Sequence, residues 1–233
     1  MRADTPGVRI TPLGDSALLA EFGTTIAPEI NARALAFAAG LAARHVAGIR
    51  DVVPAYASVA VHFDPLRTRV EQVEDAIRAE LRDPRTQPES GPVASLPCCY
   101  GGGFGPDLAG VAAWAGCSEA DVVARHTARE YRVCMIGFLP GFPYLAEVDP
   151  RIAAPRHPTP RLVVHAGSVG IAGLQTGVYP VASPGGWQII GRTPVRLFDA
   201  ARTPPTRLLP GMRVRFVPLE PGEFDAASGG EPW

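Results

Sequence analysis

The stretch between Tyr131 and Phe198 combines many hydrogen-bond donors with a high density of glycine and proline. Glycine and proline impose special backbone geometries, and rigid loops that carry polar groups often form binding sites. The donors in this stretch are His157, Arg161, Ser168, Gln175, Tyr179, Trp187 and Arg192. Composition alone leaves two interpretations open: a small-molecule site, or a loop region whose polar groups are satisfied locally.

These side chains suggest particular roles. Arginine presents a planar fork of N–H groups that matches a carboxylate or phosphate, and an imidazole exchanges protons near neutral pH. Arg161 and Arg192 flank glycine-rich segments and are candidate anion clamps; surface ion pairing is their alternative role. We predict His157 and Arg192 as catalytic residues, with an ordinary loop histidine as the alternative for His157. The predicted substrate-binding residues are Arg161, Ser168, Gln175, Tyr179 and Trp187.

Two short motifs resemble known catalytic loops without matching them. Residues 166–170, Ala-Gly-Ser-Val-Gly, lack the first glycine of the G-x-S-x-G nucleophile elbow, so Ser168 is predicted to form hydrogen bonds rather than to attack a substrate. The Gly101–Gly105 loop fits neither nucleotide-binding glycine pattern. A tight turn and a phosphate cradle both remain open for it, although Asp107 places a negative charge at the start of the next helix.

Composition excludes several chemistries. All 22 basic residues are arginine, so the chain has no lysine for a Schiff base, a P-loop or attachment of biotin. The formal net charge of -1 gives nucleic acid no general electrostatic attraction, and no apolar run is long enough to span a membrane. No signal peptide is visible, so a cytoplasmic location is expected. The four cysteines form no C-x-x-C pair, so we predict structural cysteines and no metal site.

Residues 1–82 are predicted to form an α+β domain with the order ββαββα. Pro28 and Glu29 begin the first helix, whose apolar stripe includes Ala34, Phe37 and Leu41. Residues 68–71, Thr-Arg-Val-Glu, fit a capping box for a second helix, with Arg78 on its exposed side. Residues 83–92 contain three prolines and no apolar periodicity, which predicts a linker.

Residues 93–219 are predicted to form a mainly-β barrel domain, in which two helices follow the first strand. Short apolar runs alternate with glycine and proline, which is typical of a closed barrel or a sandwich. The runs are 93–99, 133–138, 162–164, 169–172, 188–190, 195–198 and 214–217. Residues 220–233 are polar and predict a mobile tail.

Several blocks of sequence resemble the KipI-like family, also called allophanate hydrolase subunit 1 or the carboxyltransferase C–D domain. The matching blocks cover about residues 8–218 and are highly specific when they occur together. They are 13–18 (LGDSAL), 51–56 (DVVPAY), 62–65 (HFDP), 137–145 (GFLPGFPYL), 166–173 (AGSVGIAG), 175–180 (QTGVYP), 183–187 (SPGGW) and 190–194 (IGRTP). Two positions depart from the family pattern. Gly103 replaces an acidic residue that is common in the family. Residues 163–165 (Val-Val-His) replace a turn that ends in proline, which makes His165 an additional candidate site residue.

The resemblance implies an N-terminal α/β domain and a C-terminal cyclophilin-like barrel. It also implies a KipA-like partner, of the type of allophanate hydrolase subunit 2 or the 5-oxoprolinase C component, and a lactamase-type A component. Such a complex would use ATP with Mg²⁺ to open 5-oxo-L-proline to L-glutamate, and this chain would be inactive alone. Two alternatives remain within the family: an inhibitor of a histidine kinase, and a carboxyltransferase component of a urea-utilising complex.

Overall fold

In a computed structural model of the protein, the described residues are 7–83 and 93–228. Contacts divide the chain into two units, Met1–Glu89 and Ser90–Trp233. Of the predicted linker, only Asp83 lies among the described residues.

The first unit contains four antiparallel strands and two helices in the predicted order ββαββα. The sheet order is β1-β2-β4-β3, so the second and fourth strands lie at its centre. The elements are β1 (Arg9–Pro12), β2 (Ala17–Glu21), α1 (Pro28–Ala42), β3 (Ile49–Pro54), β4 (Ser58–Phe63) and α2 (Val70–Arg82).

The helices of the first unit pack their apolar stripes into one core. Pro28 occupies the first turn of α1, as predicted, and Ala34, Phe37 and Leu41 are buried. In this core they join Val59 and Val61 of the central strand β4.

Two details of α2 differ from the sequence-based expectation. The capping interaction is shifted by one residue: the Gln72 side chain, not that of Glu71, accepts a hydrogen bond from the Arg69 backbone N–H at 3.1 Å. The Thr68 hydroxyl donates to the same oxygen, also at 3.1 Å. Arg78 is not on the exposed side, because its side chain is only 12% exposed and pairs with Glu74.

The second unit is built around a closed seven-stranded barrel. The strands follow the order β10-β7-β6-β13-β5-β12-β9, and β9 pairs with β10 to close it. Every pairing is antiparallel except that of β13 with β5. The barrel strands are β5 (Val93–Tyr100), β6 (Tyr131–Ile136), β7 (Pro143–Ala146), β9 (Ser168–Ala172), β10 (Gln175–Val178), β12 (Gln188–Arg192) and β13 (Arg213–Pro218).

Two helices cover the barrel, and a small separate sheet lies beside it. The helices are α3 (Leu108–Ala115) and α4 (Glu119–Thr127), and the two-stranded sheet joins β8 (Arg161–Val164) to β11 (Ser183–Gly185). A 3-10 helix, η1, spans Pro150–Ile152. The predicted fold class, an α+β unit followed by a mainly-β barrel, is confirmed.

Three sequence-based predictions for the barrel unit need correction. Residues 162–164 do form a strand, but in the two-stranded sheet and not in the barrel. Residues 195–198 lie outside the strands, although Phe198 forms an isolated bridge with Thr206. This run is apolar because Leu197 fills the core from a loop. Strands β7 and β10 are absent from the predicted set, since their glycine and proline residues mask an apolar pattern.

Part of the segment predicted as a polar, mobile tail, residues 220–233, is helical. Residues Pro221–Glu223 form a 3-10 helix, η2, and Phe224–Ser228 form α5. Phe224 stacks on Phe104 with ring centroids 4.7 Å apart, which gives this segment an apolar anchor. Among residues 7–83 and 93–228, no helix has the length and apolar character needed to cross a bilayer.

Candidate functional site

A tight loop between β6 and β7 places aromatic rings at one end of the barrel. The Gly137 and Phe142 backbones pair across it, with the Gly137 N–H donating to the Phe142 carbonyl at 3.1 Å. Gly141 adopts a positive φ of 79°, and a Cβ there would meet the Phe198 side chain, so both backbone conformation and space require glycine. The loop thereby turns Phe142 inward and leaves Phe138 61% exposed.

The rings form a continuous edge-to-face cluster. Phe142 lies 4.9 Å from Tyr144, 5.1 Å from Tyr179 and 5.4 Å from Trp187, centroid to centroid. Tyr144 also contacts Trp187, at 5.8 Å. Phe142, Tyr179 and Trp187 are buried, whereas Tyr144 is half-buried. The cluster is therefore a rigid aromatic wall with one partly open tyrosine.

Basic side chains converge on one buried carboxylate beside this wall. Asp107, at the start of α3, accepts hydrogen bonds from Arg161 Nη2 at 2.5 Å and from the Ile189 backbone N–H at 2.6 Å. His157 Nε2 lies 3.3 Å from Asp107 Oδ2. The Asp107 side chain is only 8% exposed, so it holds the arginine and the imidazole in fixed positions.

Electrostatic effects connect the aromatic wall with the basic residues. Burial raises the pKa of the Tyr179 phenol, and a hydrogen bond from the Trp187 backbone and the charges of Arg156 and Arg161 oppose that rise. Burial also raises the pKa of Tyr144, again opposed by Arg156. The Arg156 guanidinium therefore acts on both phenols, and the Arg161 guanidinium acts on that of Tyr179. We call this assembly the basic–aromatic site, formed by Tyr144, Arg156, His157, Arg161, Tyr179 and Trp187.

The basic–aromatic site contains donors that the described residues leave unused. Arg161 Nη1 is buried without a hydrogen-bond partner, and His157 Nε2 makes no hydrogen bond of good geometry. Arg156 is exposed and forms no hydrogen bond or ion pair within residues 7–83 and 93–228. Arg156, His157 and Arg161 thus each keep a nitrogen that makes no hydrogen bond to the described residues. A site with such donors is suited to an anionic or carbonyl-bearing ligand.

The other predicted site residues lie in different surroundings. Ser168 is buried at the start of β9, and its carbonyl accepts from the Tyr179 N–H at 2.9 Å. Gln175 begins β10, where its backbone pairs with Ala146 and Ala172. Arg192 Nε donates to the Ala166 carbonyl at 2.8 Å. His165, the additional candidate, is exposed.

Arg192 thus makes contacts that differ from those of Arg161. Its guanidinium carbon lies 5.8 Å from the Phe224 ring centroid, a cation–π distance. Its strand partners are Ser168 and Cys99, whereas Trp187 precedes the opposite end of β12. The contacts described above link His157, Arg161, Tyr179 and Trp187 to one another and do not include Arg192.

The Gly101–Gly105 loop uses its backbone donors for its own turn. The Phe104 and Gly105 N–H groups donate to the Gly101 carbonyl at 3.0 and 2.8 Å, and the Gly101 N–H donates to Ile190 at 3.1 Å. The Asp107 N–H donates to Ile189 at 2.9 Å. The arrangement fits the tight-turn interpretation better than a phosphate cradle, because these donors are already engaged.

A separate chain of hydrogen bonds runs through the barrel interior. The Thr176 hydroxyl donates to the Gly170 carbonyl at 2.9 Å, so it accepts from His126 Nε2 at 3.0 Å. His126 Nδ1 therefore carries no proton and accepts from the Tyr100 hydroxyl at 2.8 Å. Burial lowers the pKa of His126 to about 3, which keeps the imidazole neutral.

Sequence reasoning missed three contributors to the basic–aromatic site. Asp107 stands out in the sequence only as a charge at a helix start, because its partners are 50 and 54 residues distant in the chain. Arg156 directly precedes the candidate His157, and Tyr144 belongs to the 137–145 block, so both lie beside recognised signals. Within residues 7–83 and 93–228, no group of three His, Cys, Asp or Glu side chains could hold a metal ion.

The fold and the site define a class: a β-barrel protein that carries a basic–aromatic site. The model of the carboxyltransferase domain, subdomain C and D, matches residues 8–208. The chain therefore belongs to this family, as the resemblance predicted.

Individual relatives agree with that assignment. The chain is 40% identical to a Bacillus subtilis protein named as the B component of 5-oxoprolinase, over 94% of this chain and 95% of the relative. Among solved structures, the crystal structure of TTHA0988 superposes on 88% of this chain with a TM-score of 0.80 and 40% sequence identity. The chain spans only 40% of the length of that protein. Kluyveromyces lactis urea carboxylase shares the fold at 21% identity, with a TM-score of 0.75, over 97% of this chain and 23% of the enzyme.

Proposed function

We propose that this chain is the B component of an ATP-dependent 5-oxoprolinase. In the proposed complex it acts with a KipA-like protein and a lactamase-type protein to convert 5-oxo-L-proline to L-glutamate. The relative's name and the near-complete alignment with it support this proposal. The observation that carries it at the residue level is the set of unused donors beside an aromatic wall.

The substrate of this reaction is a small flat ring that bears one carboxylate. A ring of that kind fits against aromatic side chains, and a carboxylate pairs with a guanidinium through two parallel hydrogen bonds. Arg161 Nη1, which has no hydrogen-bond partner among the described residues, and exposed Arg156 would bind the carboxylate. The half-buried face of Tyr144 would contact the ring. Asp107 would hold Arg161 in place.

The lactam must be activated, because its amide is stabilised by resonance. Transfer of the γ-phosphoryl group of ATP to the lactam oxygen activates the carbonyl carbon toward water. Water adds to this carbon, the ring C–N bond breaks as the nitrogen takes up a proton, and a second water hydrolyses the resulting acyl phosphate to the γ-carboxylate and inorganic phosphate. His157 lies at the edge of the site and would carry a proton during this step. Mg²⁺ would enter bound to ATP, since residues 7–83 and 93–228 bring together no metal-binding cluster.

Reconstitution tests this proposal. The chain should co-purify with its KipA-like and lactamase-type partners, and the complex should form one glutamate for each ATP hydrolysed. The chain alone should show negligible turnover, because it has no P-loop and no lysine. Full ATP turnover by the isolated chain, or binding only to a histidine kinase, would contradict the proposal.

A matched pair of variants tests the assigned site within the complex. Arg156→Gln should raise the KM for 5-oxoproline about tenfold, the loss of one charged hydrogen-bonding group, with no change in melting temperature. Arg215→Gln is the control, since it removes the same charge from an exposed residue paired with Glu130. Equal KM values for the two variants would remove Arg156 from the site.

A further inference from the structure

A second polar recess lies on the barrel unit, where α4 faces the segment that follows β7. It is a shallow recess, wide open to solvent, with a volume of about 560 Å³. We call it the Asp149 recess. Its lining residues are Asp121, Ala124, Arg125, Ala128, Arg129, Asp149 and Arg151.

Asp149 is the buried centre of the recess, and one arginine already satisfies it. Arg151 donates to both Asp149 oxygens, through Nε at 3.0 Å and Nη2 at 2.6 Å. The Arg151 backbone N–H adds a third hydrogen bond, at 3.0 Å. These bonds and the surrounding charges lower the pKa of Asp149 well below its usual value. Asp149 is therefore a permanently ionised group that needs no further donor.

Two other arginines form longer ion pairs with Asp149 and make no hydrogen bond to it. Arg125 Nη1 and Arg129 Nη2 lie 3.7 and 3.9 Å from Asp149 Oδ2, beyond hydrogen-bond distance. Within residues 7–83 and 93–228 neither guanidinium makes a hydrogen bond. The Arg125 side chain is only 27% exposed. Arg125 and Arg129 lie one helical turn apart and repel each other; the ion pairs with Asp149 offset this repulsion, and each guanidinium keeps N–H donors available to a ligand.

The local geometry leaves room and net charge for an anion. Ala124 and Arg125 lie on α4, and Ala128 and Arg129 directly follow it. The small alanine side chains keep the recess open. Three arginines and two aspartates leave an excess of one positive charge. The Asp121 carboxylate is turned away to accept from the Ser118 N–H and hydroxyl, at 3.1 and 2.6 Å.

From these observations we propose that the Asp149 recess binds the phosphate group of a small metabolite through Arg125 and Arg129. A phosphate has enough oxygens to accept from both guanidinium forks at once. Ionised Asp149 holds the two forks toward one point and limits the pocket to one anionic group. The recess shares no residue with the basic–aromatic site, and the inference does not depend on the proposed reaction.

Titration calorimetry with inorganic phosphate at low ionic strength tests this inference on the full-length chain. We expect a Kd on the order of 1 mM, and an Arg125→Gln/Arg129→Gln variant should bind about tenfold more weakly. Arg215→Gln, which removes one exposed arginine elsewhere on the same unit, should bind like the unchanged protein. Circular dichroism verifies that each variant is folded. If the double variant is unfolded, the phosphate affinity of Arg129→Gln alone tests the site, because the Arg129 side chain is 43% exposed and its replacement should not disturb the fold.

Two further ligands complete the test: ATP distinguishes the sources of the phosphate, and glutarate tests the ligand class. ATP binding more tightly than inorganic phosphate, with the same dependence on the two arginines, would identify a nucleotide; equal affinity would identify a simpler phosphate compound. Equal phosphate binding by all variants would overturn the site. Glutarate binding as tightly as phosphate would overturn the assignment of the ligand class, since it carries only carboxylates.

Discussion

The buried imidazole of His126 should make the barrel unit sensitive to mild acid. In the folded protein its pKa is about 3, whereas an unfolded histidine titrates near 6.5. The unfolded chain therefore binds a proton that the folded chain excludes, and stability falls as the pH decreases from about 6.5 toward 3. Above pH 6.5 the imidazole is neutral in both states and has no such effect.

The expected size follows from proton linkage. Each pH unit in this window corresponds to about 1.36 kcal/mol, so lowering the pH from 7 to 5 should remove about 2 kcal/mol through His126 alone. Replacing His126 with Gln removes the titrating group. It also weakens the hydrogen bonds to Tyr100 and Thr176, which should cost about 1–3 kcal/mol at pH 7. The variant should thus begin less stable and lose less on acidification.

Urea unfolding followed by tryptophan fluorescence measures both quantities. Trp114 and Trp187 lie in the second unit, and the sequence has no tryptophan before residue 114, so the fluorescence reports on the barrel unit. His165→Gln is the matched control, because it removes an exposed histidine from the same unit. The unfolding free energy should fall between pH 7 and 5 by about 2 kcal/mol more in the unchanged protein and the control than in His126→Gln. Equal decreases in all three would refute the linkage.

Three further predictions concern other side chains. Arg192→Lys should retain the fold and reduce kcat/KM of the assembled complex about tenfold if Arg192 clamps a substrate; activity equal to that of the exposed control Arg215→Lys would make it structural. Glu80→Ala should destabilise the first unit by about 3 kcal/mol, because it leaves the Arg44 charge partly buried without its carboxylate; calorimetric melting checks this, and an unchanged melt would contradict it. Trp187→Ala should destabilise the barrel by about 3–5 kcal/mol and abolish 5-oxoproline binding, measured by urea unfolding and equilibrium dialysis, whereas retained binding would remove Trp187 from the site.

Local sequence signals predicted the helices and the longer strands. The helix at Pro28 combines a suitable first residue with an apolar stripe, and both are properties of adjacent residues. Strands β7 and β10 were not predictable in this way, because Pro143 and Gly177 interrupt their patterns. Barrel closure by those strands depends on pairing with distant partners.

The site was predictable only in part for the same reason. His157, Arg161, Tyr179 and Trp187 were candidates because polar and aromatic residues in glycine-rich loops often line a site. Asp107 organises that site from a position 54 residues before Arg161, and no local pattern reports such a distance. Arg192 was grouped with them by composition, although its contacts lie elsewhere.

The parallel pairing of β13 with β5 has a consequence for biosynthesis. β5 is the first barrel strand to be made and β13 the last, and β13 lies between β5 and β6. Until Arg213–Pro218 leaves the ribosome, both neighbours have unpaired backbone edges, which are prone to associate with other strands. The strands of the first unit pair over at most 45 residues, as Ala17 does with His62, whereas the barrel must wait for its final strand. A nascent chain released before residue 213 would therefore be a substrate for chaperones and proteases.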